Sequence, residues 1–316
     1  MQASEDRWHP VRAIGFLALG LMLYVGLFLW SDQVRETHAG RNPFHRIAQA
    51  PIQSDWIILG ASHALPLGFD GIPNSLRTAT TQTTLTLAVP GGGPAVTRLV
   101  AERYFADHEA GSVLVVLDAF TFADARWNED RLGDSDILPK MPADPLTFRV
   151  LLRAVPRGLP VGTLLAYVTG FARINDRARF ETDRWEAEGR FDNTSRPSEA
   201  ADAARVAYLY PDAPSEASIQ QGLADIEALI GLTRAHGARI VLVFPPLPER
   251  FATRLPEIPG LKPRLAALAG RLGVPLIDHQ GLIPDAQFYF DTDHLNRSGV
   301  QLWLERGLGT ILRGEQ

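Results

Sequence analysis

The sequence predicts an α/β fold in which helices cover both faces of a parallel β-sheet. Short apolar runs that end in turn residues recur along the chain, and segments with helical periodicity separate them. A length of 316 residues is enough to bury a substantial core. Strand–helix alternation of this kind is typical of doubly wound sheets, because each crossover between parallel strands runs through a helix.

The N-terminal segment differs from the rest of the chain. Residues 13–30 are an 18-residue run without a charge or an amide, and as a helix this run would span about 27 Å, close to the ~30 Å hydrocarbon core of a bilayer. Trp8 lies toward one end of the run and Tyr24 and Trp30 toward the other, where aromatic rings favour the membrane interface. We expect residues 1–31 to be a leader and an uncleaved membrane anchor.

Two alternatives to an anchor stay open at this stage. A cleaved signal peptide usually has an apolar region of about 7–15 residues, and the small-residue site at 37–39 is a poor cleavage site. A buried core helix is not expected for an N-terminal segment that is apolar on every side. Arginines flank the segment on both sides, so the positive-inside rule does not decide its orientation, although a short leader fits an exported domain.

The elements follow in order after the anchor. Residues 32–50 are polar and lack a hydrophobic period, which predicts a tether, and the α/β domain occupies residues 51–316. The plainest strand is the run Val-Leu-Val-Val-Leu at 113–117. Strands are predicted at 56–59, 83–89, 113–117, 240–244 and 274–277, and helices at 95–108, 215–236, 264–272 and 298–312.

A long insertion, residues 123–214, interrupts this alternation. Residues 146–155 and 159–174 have helical patterns, whereas 175–198 are charged and have no period. About 90 residues are too many for a simple loop, so we expect a subdomain or lid that contributes substrate selectivity.

Composition excludes several functions. The net charge of −5, from 31 basic and 36 acidic residues, argues against a nucleic-acid partner. The absence of cysteine excludes disulfides, thiolate metal sites and a thiol nucleophile. There is no Gly-x-Gly-x-x-Gly after the first strand and no Gly-Lys-Ser/Thr, so we expect no nucleotide and no other cofactor.

Candidate functional residues follow the predicted strands, at the sheet edge where doubly wound proteins bind ligands. Ser62 and His63 come after the first strand, and Asp118 ends the third. Near the C-terminus, Asp291 precedes His294 by three residues, a spacing at which a turn can return a carboxylate to the ring. A serine nucleophile needs such a base, and the base needs an orienting acceptor. The second strand leads into a glycine loop of Gly91, Gly92 and Gly93.

These segments, in this order, resemble the four sequence blocks of the SGNH (GDSL-like) hydrolase superfamily. The blocks are Gly60-Ala61-Ser62-His63, the glycine loop, the strand end at Asp118 and Asp291-Thr292-Asp293-His294, within roughly residues 52–312 without the insertion. The Gly-x-Ser-His form, together with Asp-x-x-His-Leu-Asn and an anchor, is similar to bacterial envelope members. These include the D-alanyl transfer protein of teichoic acids and proteins that acylate exopolysaccharides.

The resemblance implies a flavodoxin-like doubly wound sheet and a catalytic triad of Ser62, His294 and Asp291. It also implies that backbone N–H groups of Ser62 and of one residue in the glycine loop stabilise the oxyanion. The family has an asparagine donor where this chain has Asp118, and an ionised aspartate only accepts hydrogen bonds. The oxyanion hole then has two donors, or Asp118 is protonated, or this strand end is structural. Loss of one donor typically lowers the rate by about 10²–10³, which favours a slow transferase over a vigorous esterase.

The expected function is therefore transfer or hydrolysis of O-acyl groups, most simply O-acetyl groups, on a cell-envelope or exopolysaccharide. The chain would be a single-pass protein of the bacterial inner membrane, held in lipid through residues 13–30, with its domain facing the periplasm or exterior. The resemblance implies a membrane-bound O-acyltransferase as a partner. A catalytically inactive scaffold that binds polysaccharide or a partner enzyme, and a soluble cytoplasmic esterase, are the alternatives.

Several histidines need a separate interpretation. His63 either binds substrate or supports the site from behind, and we favour the supporting role. Asp278 and His279 together with Asp293 and His294 lack the spacing of a known metal motif, so no metal is expected. The remaining histidines are expected to be solvated; they are His9, His38, His45, His108 and His236.

Overall fold

The computed structural model describes residues 8–38, 40–134, 137, 141–181 and 186–315. The predicted leader at residues 1–7 and the side chain of His9 lie outside the described residues. In the described part, five parallel strands form one sheet in the order β2-β1-β3-β4-β5, which is the flavodoxin-like order and confirms the predicted fold class. The strands are β1 Gln53–Gly60, β2 Thr84–Thr86, β3 Glu109–Val116, β4 Arg239–Phe244 and β5 Leu276–Asp278.

The strands are apolar on both faces because helices cover both sides of the sheet. In β1, Ile57 and Leu59 join one core cluster, while Trp56 and Ile58 join the other. The same alternation continues through β3 and β4. The continuous apolar runs in the sequence therefore reflect burial on two faces.

Helices surround this sheet. In the domain, α4, α10 and α12 contribute to one core cluster, and α3, α13 and α14 to the other. The helices are α1 Trp8–His38, α2 Pro43–Gln49, α3 Ile72–Thr80, α4 Pro94–Tyr104, α5 Glu129–Leu132, α6 Pro145–Ala154, α7 Val161–Thr169, α8 Phe171–Ile174, α9 Glu199–Leu209, α10 Glu216–Ala235, α11 Glu249–Ala252, α12 Leu261–Leu272, α13 Arg297–Trp303 and α14 Gly309–Arg313.

The second strand and the last helix depart from their predictions in more than their end residues. The strand predicted at 83–89 has only three residues in the ladder, although Leu87 and Val89 still donate backbone hydrogen bonds to Ile58 O and Gly60 O, 2.8 Å and 3.0 Å long. The helix predicted at 298–312 is divided by a π turn at Leu304–Leu308.

Helix α1 is long and apolar enough, by length and composition, to span a membrane, from Pro10 to His38. No residue of its most apolar 18-residue window is buried, which argues against a buried core helix. No other helix among the described residues passes the same test.

The local structure of residues 32–50 differs from the predicted tether, because most of these residues are helical. Helix α1 continues to His38, and α2 follows after a turn. The Asn42 side chain accepts a hydrogen bond from Phe44 N, 2.9 Å long, and caps α2. Phe44 and Ile47 are buried in the core, where α2 packs against α4. A short polar-looking segment therefore belongs to the domain.

The prediction of solvated histidines is also wrong at two positions. His45 lies on the buried side of α2. His108 is buried, its ring lies 5.2 Å from the Tyr104 ring, and its Nδ1 lies 2.6 Å from Asp107 Oδ1. Local sequence did not reveal these tertiary contacts.

The insertion consists of helices and short 3-10 turns. The predicted helical patterns at 146–155 and 159–174 correspond to α6 and to α7 with α8. The charged stretch contains turns at Arg177–Phe180 and Glu186–Arg190, and α9 follows it. A bend at Gly170, with φ of 70°, separates α7 from α8.

We predict that Gly60→Ala destabilises the domain by about 1–3 kcal/mol. Gly60 has φ of 141°, and a Cβ there would lie 2.5 Å from Val116 O on the neighbouring strand. The matched control is Gly231→Ala in α10, where a Cβ meets open space and helix propensity predicts a gain of about 0.5–1 kcal/mol. Thermal unfolding of the detergent-solubilised chain measures both. Equal Tm values for Gly60→Ala and the parent would contradict the argument.

Candidate active site

Ser62 occupies a sharp turn at the end of β1. The chain leaves the sheet at Gly60, which lies against Val116 on β3, and a 3-10 helix then begins at Ser62 and runs to Gly68. As the first residue of this helix, Ser62 has a backbone N–H without an intrahelical acceptor. Its side chain is partly accessible, whereas His63 behind it is buried.

Only one glycine of the predicted loop borders the cavity beside Ser62. Gly91, with φ of 64°, lies against the Trp127 ring and lines this cavity. Gly92 N donates to Val89 O at 2.8 Å, and Gly93 N donates to Trp127 O at 2.6 Å. Since these two N–H groups already have acceptors, Gly91 N–H and Ser62 N–H are the backbone donors available to an oxyanion.

His294 is oriented by Asp291. Its Nδ1 lies 2.9 Å from Asp291 Oδ2 and 3.0 Å from Oδ1. The same carboxylate accepts the backbone N–H groups of Asp293 and His294, at 3.1 Å and 2.8 Å, so the turn holds it beside the ring. Burial acts to raise the pKa of Asp291, but His294 and these hydrogen bonds hold it below the usual value. The other ring nitrogen, Nε2, is buried and has no hydrogen-bond partner among the described residues.

His63 lies between two buried carboxylates. Its Nδ1 is hydrogen-bonded to Asp118 Oδ1, and its Nε2 lies 3.4 Å from Asp293 Oδ2. Burial acts to lower the pKa of His63, but Asp118 and Asp293 outweigh it and raise the pKa to about 10. His63 is therefore an imidazolium at neutral pH. Its ring also stacks on His294, with centroids 4.8 Å apart and planes inclined by 27°.

Asp293 connects this pair to the insertion. Only 1% of its surface is exposed, and Arg205 Nε on α9 donates to both carboxylate oxygens, at 2.9 Å and 3.1 Å. Burial acts to raise the pKa of Asp293, but His294, Arg205 and His63 hold it well below the usual range. Asp293 lies 3.3 Å from His294 Nδ1, farther than Asp291.

His63, Asp293 and His294 bring three possible metal-ligand atoms within 4.8 Å of one another. A metal ion lies in the plane of each imidazole ring that binds it, because the nitrogen lone pair is in that plane. The stacked His63 and His294 rings, inclined by 27°, do not converge on one point. The cluster is therefore better explained as a charge network. Asp278 instead pairs with Lys262, and His279 accepts from Trp303 Nε1.

Ser62 and His294 border the same cavity, of about 410 Å³. The rest of its wall comes from the β2 loop, the turn after β3 and, for the most part, the insertion. The other lining residues are Pro90, Gly91, Phe120, Arg126, Trp127, Asp130, Arg131, Asp134, Arg205, Tyr208 and Leu209.

The structure brings Ser62, Gly91, Asp291 and His294 together and separates the other predicted site residues from the cavity. His63 and Asp118 lie behind the cavity as an ion pair. The backbone N–H groups of Gly92 and Gly93 donate hydrogen bonds to Val89 O and Trp127 O. Asp118 is thus a hydrogen-bond acceptor for His63. This geometry explains Asp118 as the buried partner of His63, and it leaves the backbone N–H groups of Ser62 and Gly91 as candidate donors.

The insertion residues that form the cavity wall were not among the site residues predicted from the sequence. Arg126 lies over the Trp127 ring, 5.0 Å from its centroid, and also faces Tyr208. Arg205, one helical turn before Tyr208, holds Asp293. Arg205 and Tyr208 are spaced for one face of a helix after the charged stretch, and this spacing is the only hint of their role in the sequence. No neighbouring residue indicates that this helix contacts the C-terminal motif.

No protein-family model and no curated protein matches the chain. Among solved structures, the chain is similar to a "putative acylhydrolase" from Bacteroides fragilis NCTC 9343, with 8% identity, a TM-score of 0.45 and coverage of 86% of this chain and 94% of that chain. It is also similar to a GDSL-like lipase from Bacteroides thetaiotaomicron VPI-5482, with 7% identity, a TM-score of 0.41 and coverage of 85% and 95%.

We predict that His63 stabilises the fold in a pH-dependent manner. A folded-state pKa of about 10, against about 6.5 when unfolded, means that the stabilisation is complete below pH 6.5. It is lost as the pH rises from there to about 10. The Tm difference between the parent and His63→Gln should therefore be largest near pH 6.5 and decline toward pH 10.

The control for this measurement is His236→Gln, because His236 is exposed and its substitution should change Tm little. A Tm difference for His63→Gln that stays constant over this pH range would show that His63 is not a buried cation.

Proposed function

We propose that the chain is a membrane-anchored SGNH-type serine acyltransferase or esterase acting on O-acyl groups of a cell-envelope polysaccharide. One observation carries the proposal: His294 has a carboxylate on Nδ1 and a buried, unpartnered Nε2, and it borders the same cavity as Ser62. A general base for a serine nucleophile needs an orienting acceptor on one ring nitrogen and a second nitrogen that is free to take the serine proton.

The proposed acylation half-reaction assigns a role to each of these groups. Ser62 Oγ attacks the carbonyl carbon of the acyl donor while His294 Nε2 takes the serine proton. The Ser62 and Gly91 N–H groups stabilise the negative charge that develops on the carbonyl oxygen. Asp291 stabilises the imidazolium, which then protonates the departing alkoxide, and an acyl-Ser62 ester remains.

The second half-reaction reverses these proton transfers. A hydroxyl of the acceptor sugar, or water, gives its proton to His294 and attacks the acyl carbonyl. The tetrahedral intermediate collapses, the acyl group leaves with the acceptor, and His294 returns the proton to Ser62. Transfer exceeds hydrolysis when the acceptor excludes water from the cavity.

The cavity wall supports a polar, glycan-like substrate with a small acyl group such as acetyl. Trp127, Tyr208 and Phe120 supply aromatic surface, and Arg126 and Asp130 supply hydrogen-bonding groups. Sugar rings pack their C–H faces on aromatic side chains while their hydroxyls bond to charged groups. A long fatty acyl chain would instead require an apolar tunnel.

The contacts of α1 support a retained anchor. Ser31 Oγ donates to Arg173 O at 2.7 Å, and Arg35 pairs with Asp176 in the insertion. Cleavage after residue 39 would remove both contacts. We propose that α1 holds the domain at the outer face of a bacterial inner membrane, where a membrane-bound O-acyltransferase could deliver acyl groups.

The alternative is a catalytically inactive scaffold, and the departure at Asp118 was its main support. The pairing of Asp118 with His63 gives that residue a role in the fold that is compatible with an active Ser62. A fluorophosphonate probe separates the two functions, because an activated Ser62 forms an adduct and a scaffold does not.

We predict that Ser62→Ala lowers turnover of a generic acetyl ester by about 10³-fold or more, and that Asp291→Asn lowers it by about 10²–10⁴-fold. Both substitutions disrupt proton transfer without removing the cavity. The assay uses the full chain in detergent, with Ser218→Ala and Asp278→Asn as matched controls outside the cavity wall. Unchanged turnover in Ser62→Ala would contradict the nucleophile, and absence of a fluorophosphonate adduct on the parent would favour the scaffold.

A further inference from the structure

The insertion exposes an apolar face next to α1. On α7, Val161, Leu165 and Val168 recur at helical spacing and are 53–58% exposed, and Phe171 at the start of α8 is 62% exposed. The opposite side of α7 is anchored in the protein, where Tyr167 OH donates to Pro142 O at 2.7 Å. A helix packed on one side and apolar on the other needs a partner for the free side.

Contacts with α1 determine where this apolar face lies along the axis of α1. Tyr24 OH donates to Thr169 O at the end of α7, 2.7 Å away. Phe28 packs on Gly170, where a side chain would overlap the Phe28 ring. The end of α7 therefore lies beside the apolar part of α1.

A second set of contacts marks where that apolar part ends. The Trp30 ring lies 5.8 Å from Phe180, and the Arg179 guanidinium lies 5.2 Å from the Trp30 centroid. After Trp30 most side chains of α1 are polar, and Ser31 Oγ donates to Arg173 O. Tyr24 precedes Trp30 by six residues, or about 9 Å along the helix axis. Thr169, which Tyr24 contacts, therefore lies farther into the apolar part of α1 than the Trp30 ring does. Interfacial helices bury their apolar face to a depth of about 5–10 Å.

The neighbouring helix α6 adds the charge pattern of a membrane surface. Phe148 and Leu152 are exposed on it, and Arg149 and Arg153 are exposed beside them. Among the described residues, neither arginine has an ion-pair partner. Arginines next to exposed apolar side chains favour an interface with anionic lipid headgroups.

From these observations we infer that α7 and α8, with the outer side of α6, lie in the lipid interface beside α1 as a second membrane contact. Anionic lipid is the occupant that fits the depth, the exposed apolar side chains and the arginines together. The inference rests on the membrane placement of α1 in the proposed function. It would fix the orientation of the domain on the bilayer, since a single helix alone leaves rotation free.

The test uses the absence of cysteine in the parent chain, which makes single-site labelling specific. Full-length Leu165→Cys, Leu19→Cys and Ala267→Cys carry an environment-sensitive fluorophore and are reconstituted in phosphatidylcholine–phosphatidylglycerol vesicles. Leu19 lies in α1, and Ala267 is exposed on α12. Lipids with a nitroxide on the acyl chain quench only fluorophores in contact with lipid.

We predict about twofold quenching at position 165, as for a side chain 5–10 Å into the interface, strong quenching at 19 and none at 267. Quenching at 19 without quenching at 165 would overturn this inference and leave the anchor intact, and it would indicate that a second copy or another protein covers α7. Absence of quenching at both 19 and 165 would overturn the anchor as well.

Discussion

A buried positive charge at His63 organises the site. His63 follows the first strand, Asp118 follows the third strand, and Asp293 precedes the last helices. The His63 imidazolium therefore joins three separate parts of the chain. Because the His63 ring stacks on the His294 ring, the same contacts also help to position His294, the proposed general base. Removal of one partner from a buried ion pair typically lowers stability by about 3–5 kcal/mol, because a charge is left uncompensated. The positions of Ser62 and His294 therefore depend on a residue that does not border the cavity.

The insertion connects this site to the apolar helix α1. Its first residues and α9 form most of the cavity wall, and Arg205 on α9 also neutralises Asp293. Its middle helices pack on α1 through Tyr24, Phe28 and Ser31. One segment thus touches both the candidate active site and the apolar helix. In the proposed function, this arrangement holds the cavity at a fixed position relative to the membrane, where acyl groups and growing polymer are delivered.

The parts of this structure that could be predicted are those encoded locally. Parallel strands buried on both faces appear as continuous apolar runs, and Asp291 and His294 form a turn within four residues. Other features depend on contacts between distant residues. The pair of His63 and Asp118 spans 55 positions, and Arg205 and Asp293 span 88. These pairs depend on strand register and on the docking of α9, which no local pattern encodes. The burial of α2 was missed for the same reason, because its polar-looking sequence packs against α4.

The most direct test of this account is to trap the covalent intermediate. The full chain is mixed with a chromogenic acetyl ester, denatured in acid within the first turnover, digested and analysed by mass spectrometry. The account predicts one acetyl group on the peptide that contains Ser62, formed before steady-state product release. Acetyl groups on another residue, or ester turnover without any acylated peptide, would contradict an acyl-serine mechanism at this site.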